Sequence, residues 1–101
     1  MAQVVWTATA LDDLDGIGEF IAKDSLRSAE LTVSELFNCV FILEKSPRLG
    51  RKVPEFDIDS IRELIKGNYR IIYRIVESYR IDILTVHHSS RHLFNNDLFS
   101  G

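Results

Sequence analysis

The chain has 101 residues, a formal net charge of −3 at pH 7, and 46% hydrophobic and 27% charged residues. These values predict one globular domain and exclude a disordered chain. The sequence contains no run of roughly 20 apolar residues that would span a membrane, and its N-terminus lacks the pattern of a secretory signal. A lone cysteine excludes an internal disulfide, so we expect a single cytoplasmic domain over residues 1–101.

The charges are divided unevenly along the chain. Residues 1–44 contain two basic and eight acidic residues, a balance of −6, and residues 45–101 contain ten basic and seven acidic residues, a balance of +3. Such an asymmetry favours separate faces, of which the basic one would meet an anionic or acidic target. A chance division of solvated charges is the alternative.

The N-terminal part of the chain predicts a strand and a helix. Residues 3–6 (QVVW) form a short apolar run typical of a strand. Thr7 or Thr9 is a suitable N-cap for the helix that follows, because a threonine hydroxyl accepts a hydrogen bond from a free amide of the first turn. The apolar face of this helix contains Leu14, Ile17 and Ile21.

A second helix follows after only a few residues. Asp24 or Ser25 is a suitable cap, and Ser46-Pro47 ends the helix after residue 45, because the residue before a proline avoids helical geometry. Apolar residues recur every three or four positions, and the short connection predicts an antiparallel helical hairpin. Cys39 lies within this apolar pattern, which favours a core position over a nucleophile. Residues 47–59 contain both prolines and are predicted to form a loop.

From residue 60 the apolar period changes to two, which is typical of strands. The alternating segments are residues 60–67, 68–77 and 79–88. Gly67-Asn68 supplies the positive φ of a tight hairpin turn, and three such strands predict an antiparallel meander. A short helix from about Ser90 and a frayed tail at 96–101 would follow. The complete order is β-α-α-β-β-β, an α+β fold with an antiparallel sheet and the helical hairpin on one face.

The strand at 68–77 has one purely apolar side, and we expect this side to pack against the helices. That side consists of Tyr69, Ile71, Tyr73 and Ile75. The opposite side then carries Arg70 and Arg74, and alignment with the neighbouring strand adds Arg62 and Lys66, which predicts a basic patch on an uncovered sheet face. Such a patch suits phosphates or carboxylates, although pairing with nearby acids is the alternative. The residues expected at its border are Arg51, Lys52, His87, His88, Arg91 and His92.

Little else in the sequence indicates catalysis. It has no phosphate-binding glycine loop, and its three histidines lack the cysteines or spaced acids of a metal site, so no cofactor or metal is expected. His87 and His88 would point to opposite faces of a strand, and one of them beside several arginines would be able to transfer a proton near pH 7. A strand-end histidine bonded to the backbone is the alternative.

Several short motifs occur in a defined order along nearly the whole chain. They are W-T-x-x-A-x-x-D-L at 6–14, I-A-K-D-S at 21–25, L-x-x-x-P-x-x-G-R at 43–51, I-R-E-L at 61–64, Y-R-I-I-Y-R-I at 69–75 and V-H-H-S-S-R at 86–91. In this ordered set the chain resembles the RelE/ParE superfamily of bacterial type II toxins, often called plasmid stabilisation proteins. The fold of that superfamily is the same β-α-α-β-β-β order.

The resemblance also implies a partner. In this superfamily a cognate antitoxin holds the toxin inactive, and its C-terminal segment wraps around the toxin. We expect such a complex to be a heterotetramer or larger. The N-terminal domain of the antitoxin binds operator DNA, so the toxin would meet DNA only through the antitoxin. We expect an acidic amphipathic segment to fold on a groove beside the helical hairpin and on the basic patch.

The superfamily divides by target. RelE-like members cleave mRNA in the ribosome without a metal, and the resemblance makes Arg62, Arg70, His87 and His88 the candidates for that catalysis here. ParE-like members poison DNA gyrase and are not known as nucleases. The chain has no tyrosine after Tyr79 and an acidic overall balance, both unusual for a ribosome-dependent nuclease. The sequence therefore favours a ParE-like toxin that arrests growth through gyrase.

Two alternatives stay open at this point. One is a RelE-like, ribosome-dependent endoribonuclease, and the other is a non-toxic protein that stabilises a DNA-binding antitoxin. In either toxin interpretation the expected contacts with target or antitoxin are basic, and Arg70 is the position expected to matter most. These candidate contacts are Arg51, Arg62, Lys66, Arg70, Arg74 and Arg91.

Overall fold

The structure is a computed structural model that describes residues 1–77 and 79–94. Strand β1 (Gln3–Trp6) leads into two helices, α1 (Ala8–Ala22) and α2 (Leu26–Cys39). Four strands follow, namely β2 (Arg51–Lys52), β3 (Ile61–Lys66), β4 (Tyr69–Val76) and β5 (Arg80–His88). The predicted order of elements is confirmed, with β2 as an addition inside the segment that the sequence predicts to be a loop.

Both helices begin at capping residues that the sequence indicates. The Thr7 hydroxyl accepts a hydrogen bond from the amide of Ala10 at 3.2 Å, and the Ser25 hydroxyl accepts one from the amide of Ser28 at 3.1 Å. Only three residues separate the helices, so they pack as the predicted antiparallel hairpin.

The second helix ends earlier than predicted. Regular α-helix stops at Cys39, and Val40–Glu44 continues as a 3-10 segment. In a 3-10 helix residues three apart lie on the same side, and this places both Val40 and Leu43 in the core. Cys39 packs against the same core, and burial raises the pKa of its thiol.

The sheet is mixed rather than wholly antiparallel, which corrects the prediction. Its strand order is β1-β5-β4-β3-β2, and β1 runs parallel to β5 at one edge. At the other edge β2 pairs antiparallel with β3. Turn signals fix the direction of strands joined by hairpins, but β1 and β5 are distant in sequence and meet only through tertiary packing.

Two apolar clusters lie on opposite faces of the sheet. The larger one joins the helices to β4 and β5, and it contains Ile71 and Tyr73 with Tyr69 and Ile75 packed at its margin. The predicted apolar side of β4 is therefore confirmed as the side that faces the helices. The smaller cluster on the other face consists of Val53, Ile61, Ile72, Leu84 and Leu93, with Phe56 packed against it.

The smaller cluster shows that the second sheet face is covered, contrary to the prediction of an open face. The segment after β2 supplies Val53 and Phe56, and the chain after β5 folds back to insert Leu93. Residues 91–94 have no regular secondary structure, so the helix predicted from Ser90 is absent from the described residues. The tail predicted to fray at 96–101 lies outside them. No helix in the described part of the chain is long and apolar enough to cross a membrane.

Candidate functional site

The register between β3 and β4 decides which basic residues share a face. Arg62 lies opposite Tyr73 and Lys66 lies opposite Tyr69, so both belong to the face that carries the helices. Arg70 and Arg74 lie on the other face. The predicted patch of four basic residues is therefore wrong, because β3 turns its Ile61–Glu63 side, not its basic side, toward the face of Arg70.

Arg70 is the centre of an ion cluster on the sheet face opposite the helices. Only 5% of the residue is exposed. Its Nε donates to Glu63 Oε1 at 2.7 Å, and its Nη1 and Nη2 donate to the two oxygens of Glu55 at 2.6 and 2.8 Å. Nη1 also donates to the carbonyl of Arg91 at 3.0 Å. All three guanidinium nitrogens are thus engaged, and the two carboxylates raise the pKa of Arg70 further above its usual value.

Glu63 links this arginine to the edge of the sheet. The residue is 1% exposed, and its Oε2 accepts a hydrogen bond from Nε of Arg51 on β2 at 2.6 Å. Two carboxylates therefore balance two guanidinium groups, which is the arrangement that buried charges require. We call Arg51, Glu55, Glu63 and Arg70 the sheet-face ion cluster.

Glu55 connects the sheet-face ion cluster to the end of the described chain. Its Oε2 accepts a hydrogen bond from the amide of Leu93 at 3.1 Å, while Arg70 holds the carbonyl of Arg91. The hydrogen bonds from Arg70 lower the pKa of Glu55 to about 2. The cluster thereby fixes residues 91–93 across the sheet and keeps Leu93 in the smaller apolar cluster.

Arg62 has a different structural role. Its Nη1 donates to the carbonyl of Gly50 at 2.9 Å, and its Nε and Nη2 donate to the carbonyl and carboxylate of Asp59, both at 3.0 Å. The hydroxyl of Tyr73 accepts from the amide of Gly50 at 2.9 Å and donates to the carbonyl of Pro47 at 2.7 Å. Both side chains hold the segment between α2 and β3 against the sheet.

The two histidines of β5 lie on opposite faces, as predicted. His87 lies opposite Arg70, and its Nε2 is 2.9 Å from the hydroxyl of Thr85. The Thr85 hydroxyl donates its proton to Asp13 of α1 at 2.5 Å, so the same hydroxyl accepts a hydrogen bond from Nε2–H of His87. The Nδ1 atom of His87 then carries no proton and accepts a hydrogen bond from Arg91 at 3.2 Å. This tautomer is inferred from the hydrogen bonds.

His88 agrees with the alternative interpretation, a strand-end histidine bonded to the backbone. It lies opposite Tyr69 on the helix side and contacts that ring edge to face at 5.9 Å. Its Nδ1 is 2.8 Å from the hydroxyl of Ser90 and accepts a hydrogen bond from the Ser90 amide at 3.3 Å.

The remaining basic candidates are dispersed. Arg74 lies half-buried on the face of Arg70, Arg91 is exposed beside His87, and Lys66 is exposed on the helix side. Lys52 pairs with Asp57 at 3.2 Å, and His92 approaches Glu55 at 3.9 Å. The structure thus brings Arg51, Arg70, Arg74, His87 and Arg91 to one face and separates Arg62, Lys66 and His88 from them.

Sequence reasoning missed two residues that organise this region, Glu55 and Asp13, whereas pairing of the arginines with nearby acids, among them Glu63, is the alternative that the sequence leaves open. Glu55 and Glu63 neutralise the arginines, and Asp13 binds both Thr85 and the amide of Val86. The surplus of arginines near these acids is a signal for the two glutamates. For Asp13 the only signal is its place in the W-T-x-x-A-x-x-D-L motif, since its partners are more than 70 residues away.

An apolar groove of about 680 Å³ runs along the outer side of the helical hairpin. Leu11, Leu26 and Phe37 line it with exposed side chains. Gly18 is one of its lining residues, and a β-carbon there would be 3.0 Å from Cγ2 of Val33 on α2. In the described residues no group of histidine, cysteine or acidic side chains is arranged to hold a metal ion.

Comparisons with known proteins place the chain among the toxins of toxin–antitoxin systems. Residues 4–93 match the family model for the ParE toxin of the type II toxin–antitoxin system parDE. A curated relative, the candidate toxin Y4kP of Sinorhizobium fredii, is 38% identical over 89 residues, which cover 86% of this chain and 88% of Y4kP.

Solved structures show the same fold. The chromosomal ParDE system of P. aeruginosa contains a chain with a TM-score of 0.71 and 23% identity, covering 87% of this chain and 96% of that one. The RelBE2 toxin–antitoxin complex of Mycobacterium tuberculosis contains a chain with a TM-score of 0.55 and 27% identity, covering 86% of this chain and 96% of that one. The α+β fold expected from the motifs is therefore confirmed.

Proposed function

The chain belongs to the ParE toxin family of type II toxin–antitoxin systems, and from this premise we propose that it arrests growth by binding and poisoning DNA gyrase. A co-encoded antitoxin neutralises it in a heterotetramer or larger complex. The antitoxin, not the toxin, contacts operator DNA. In this proposal the toxin acts in the cytoplasm by surface contact and performs no chemistry of its own.

The state of Arg70 is the observation that carries the proposal. A nuclease that cleaves RNA without a metal needs cations that are available to the phosphorane and groups that transfer protons. All nitrogens of Arg70 are engaged by Glu55, Glu63 and the carbonyl of Arg91. To release the guanidinium would break a buried ion pair, at a cost of about 3–5 kcal/mol.

The other candidates for RNA cleavage support the same conclusion. Arg62 is bound through all three nitrogens to Gly50 and Asp59. Both ring nitrogens of His87 lie within hydrogen-bonding distance of protein groups, namely Thr85 and Arg91. A protein whose arginines already bind its own acids and carbonyls is better suited to shape recognition than to phosphate chemistry.

The groove on the helical hairpin supports the antitoxin partnership. Its exposed leucines and phenylalanine form a concave apolar strip along two helices. An amphipathic helix that inserts apolar residues at i, i+3, i+4 and i+7 is the usual occupant of such a surface. The antitoxin's C-terminal segment would therefore bury this strip as it folds.

A supercoiling assay tests the target. Purified toxin is expected to inhibit gyrase supercoiling or to trap cleaved DNA with the enzyme, and no effect at large excess would refute gyrase as the target. Arg91→Ala is expected to weaken this activity without unfolding the protein, because only the exposed side chain is removed while the backbone carbonyl that binds Arg70 stays. Arg80→Ala is the matched control, since this exposed arginine pairs with Asp82 at the far end of β5.

Two further readouts distinguish the rival functions. Cleavage of mRNA at the ribosomal A site in a translation extract would establish the RelE-like nuclease instead. Expression without growth arrest, combined with a longer lifetime of the co-encoded antitoxin, would establish a non-toxic stabiliser of the repressor.

A further inference from the structure

The charged residues that line the hairpin groove all have the same sign. Asp15 and Glu19 of α1 and Glu30 of α2 stand at the groove, and none of the described residues that line it is basic. The groove also lies in the part of the chain, residues 1–44, whose formal balance is −6. An apolar floor is therefore bordered by negative charge on both helices.

The floor of the groove exposes large apolar side chains. Leu26 is 66% exposed, Leu11 is 42% exposed and Phe37 is 37% exposed. The close approach of α1 and α2 at Gly18 brings these side chains into one continuous strip. A contiguous apolar patch of this kind marks an interaction surface.

We propose that the helix that fills this groove has an apolar stripe flanked by lysine or arginine, and that the acidic border selects it. The inference rests on the proposed antitoxin partnership and names the chemistry of the segment that docks here. It reverses the expectation from the sequence alone, in which the docking segment is acidic. A second copy of this chain fits poorly, because two hairpin grooves brought face to face would oppose six carboxylates, three from each copy.

Two docking helices with the same apolar stripe differ in affinity for the groove through the charges of the residues that flank the stripe. A basic residue beside each of the three carboxylates forms an attractive pair, and an acidic residue there forms a repulsive one. Exposed pairs are individually weak, so their combined effect is about tenfold in affinity at low salt. The effect is expected to decline as salt shortens the range of the interaction.

The test uses two synthetic helical peptides of about 16 residues, a length that spans about 24 Å. They have an identical leucine stripe, flanked by lysine in one and by glutamate in the other. Fluorescence anisotropy measures the dissociation constant of each for the full-length toxin at about 50 and about 300 mM NaCl. We expect the lysine peptide to bind about tenfold more tightly at low salt, with the difference reduced at high salt.

Charge-reversal variants of the toxin test whether the carboxylates of the groove cause the preference for the lysine peptide. The double variant Glu19→Lys, Glu30→Lys is expected to reverse the preference, whereas Glu35→Lys, an exposed acid on α2 outside the groove, is expected to leave it unchanged. Circular dichroism confirms that each variant is folded. Equal binding of both peptides, tighter binding of the glutamate peptide, or no binding of either would overturn the proposal. Binding of the co-encoded antitoxin to the same toxin preparation is measured in parallel, so that failure of this inference is distinguishable from failure of the proposed antitoxin partnership.

Discussion

Replacement of Glu55 by glutamine removes one charge from the sheet-face ion cluster and keeps its shape. The pKa of Glu55 is lowered from 4.5 to about 2 by its hydrogen bonds with Arg70 and Leu93. Because one pKa unit corresponds to about 1.4 kcal/mol, the charged form contributes at most about 3 kcal/mol, and solvent screening reduces this to about 2 kcal/mol. A loss of that size lowers the melting temperature of a domain of this length by roughly 10 °C.

The pH dependence has a definite sign. The folded-state pKa of Glu55, about 2, lies below its ordinary value of 4.5, so the folded state binds the proton less readily than the unfolded state. The stabilisation is fully present above about pH 4.5 and is lost as the pH falls toward 2. The difference in free energy of unfolding between the wild type and Glu55→Gln is therefore expected to shrink across that window.

Urea titrations followed by circular dichroism at pH 7, 4 and 3 measure this difference. Asp57→Asn is the matched control, because the side chain of Asp57 forms an exposed ion pair with Lys52 and asparagine tolerates its positive φ of 53°. We expect the control to change stability by less than about 0.5 kcal/mol. The reasoning is refuted if Glu55→Gln behaves like the control at pH 7, or if its deficit is the same at every pH.

Four other substitutions probe the sheet and the first helix, each by the same titration. Gly50→Ala should destabilise the protein by about 3 kcal/mol, because the new β-carbon would collide with the backbone of β3 and lie 2.7 Å from the Tyr73 hydroxyl. An unchanged midpoint of urea unfolding would contradict that contact. Tyr73→Phe should cost about 1–3 kcal/mol by leaving the buried Gly50 amide without its acceptor, and a neutral result would argue against that hydrogen bond. Gly16→Ala should stabilise α1 by about 0.5–1 kcal/mol, since nothing lies within 4 Å of the new β-carbon, whereas Gly18→Ala should gain less because Val33 must move; equal gains would contradict the close helix contact.

Local signals predicted the parts of the fold that depend on neighbouring residues. Thr7 and Ser25 cap their helices because the capping hydroxyl and its amide are three residues apart. Every second residue of β4 from Tyr69 to Ile75 is apolar, so one side of this strand is wholly apolar. That side faces the helices, because only this orientation buries Tyr73 and Ile71.

Strand β3 shows where such signals fail. Each of its two sides mixes apolar and charged residues, so alternation alone does not decide which side faces the helices. The orientation of β3 depends on Glu63. This residue is buried only because Arg51 and Arg70 reach it from other strands. Those partners depend on β2, a strand of two residues inside an apparent loop, and on Glu55 beyond it. The prediction of the basic patch is therefore right for Arg70 and Arg74 and wrong for Arg62 and Lys66, which lie on the helix side.

The return of residues 91–93 across the sheet has a consequence for the order of events during synthesis. Leu93 completes an apolar cluster whose other members come from positions 53–84, and its amide satisfies Glu55. This face of the domain is thus incomplete until residue 93 has emerged from the ribosome. The acidic part of the chain, residues 1–44, which contains the helical hairpin, is synthesised first, and the arginine-bearing sheet face is completed last. The residues that line the hairpin groove lie between Leu11 and Asn38, so they leave the ribosome before the second face of the sheet is complete.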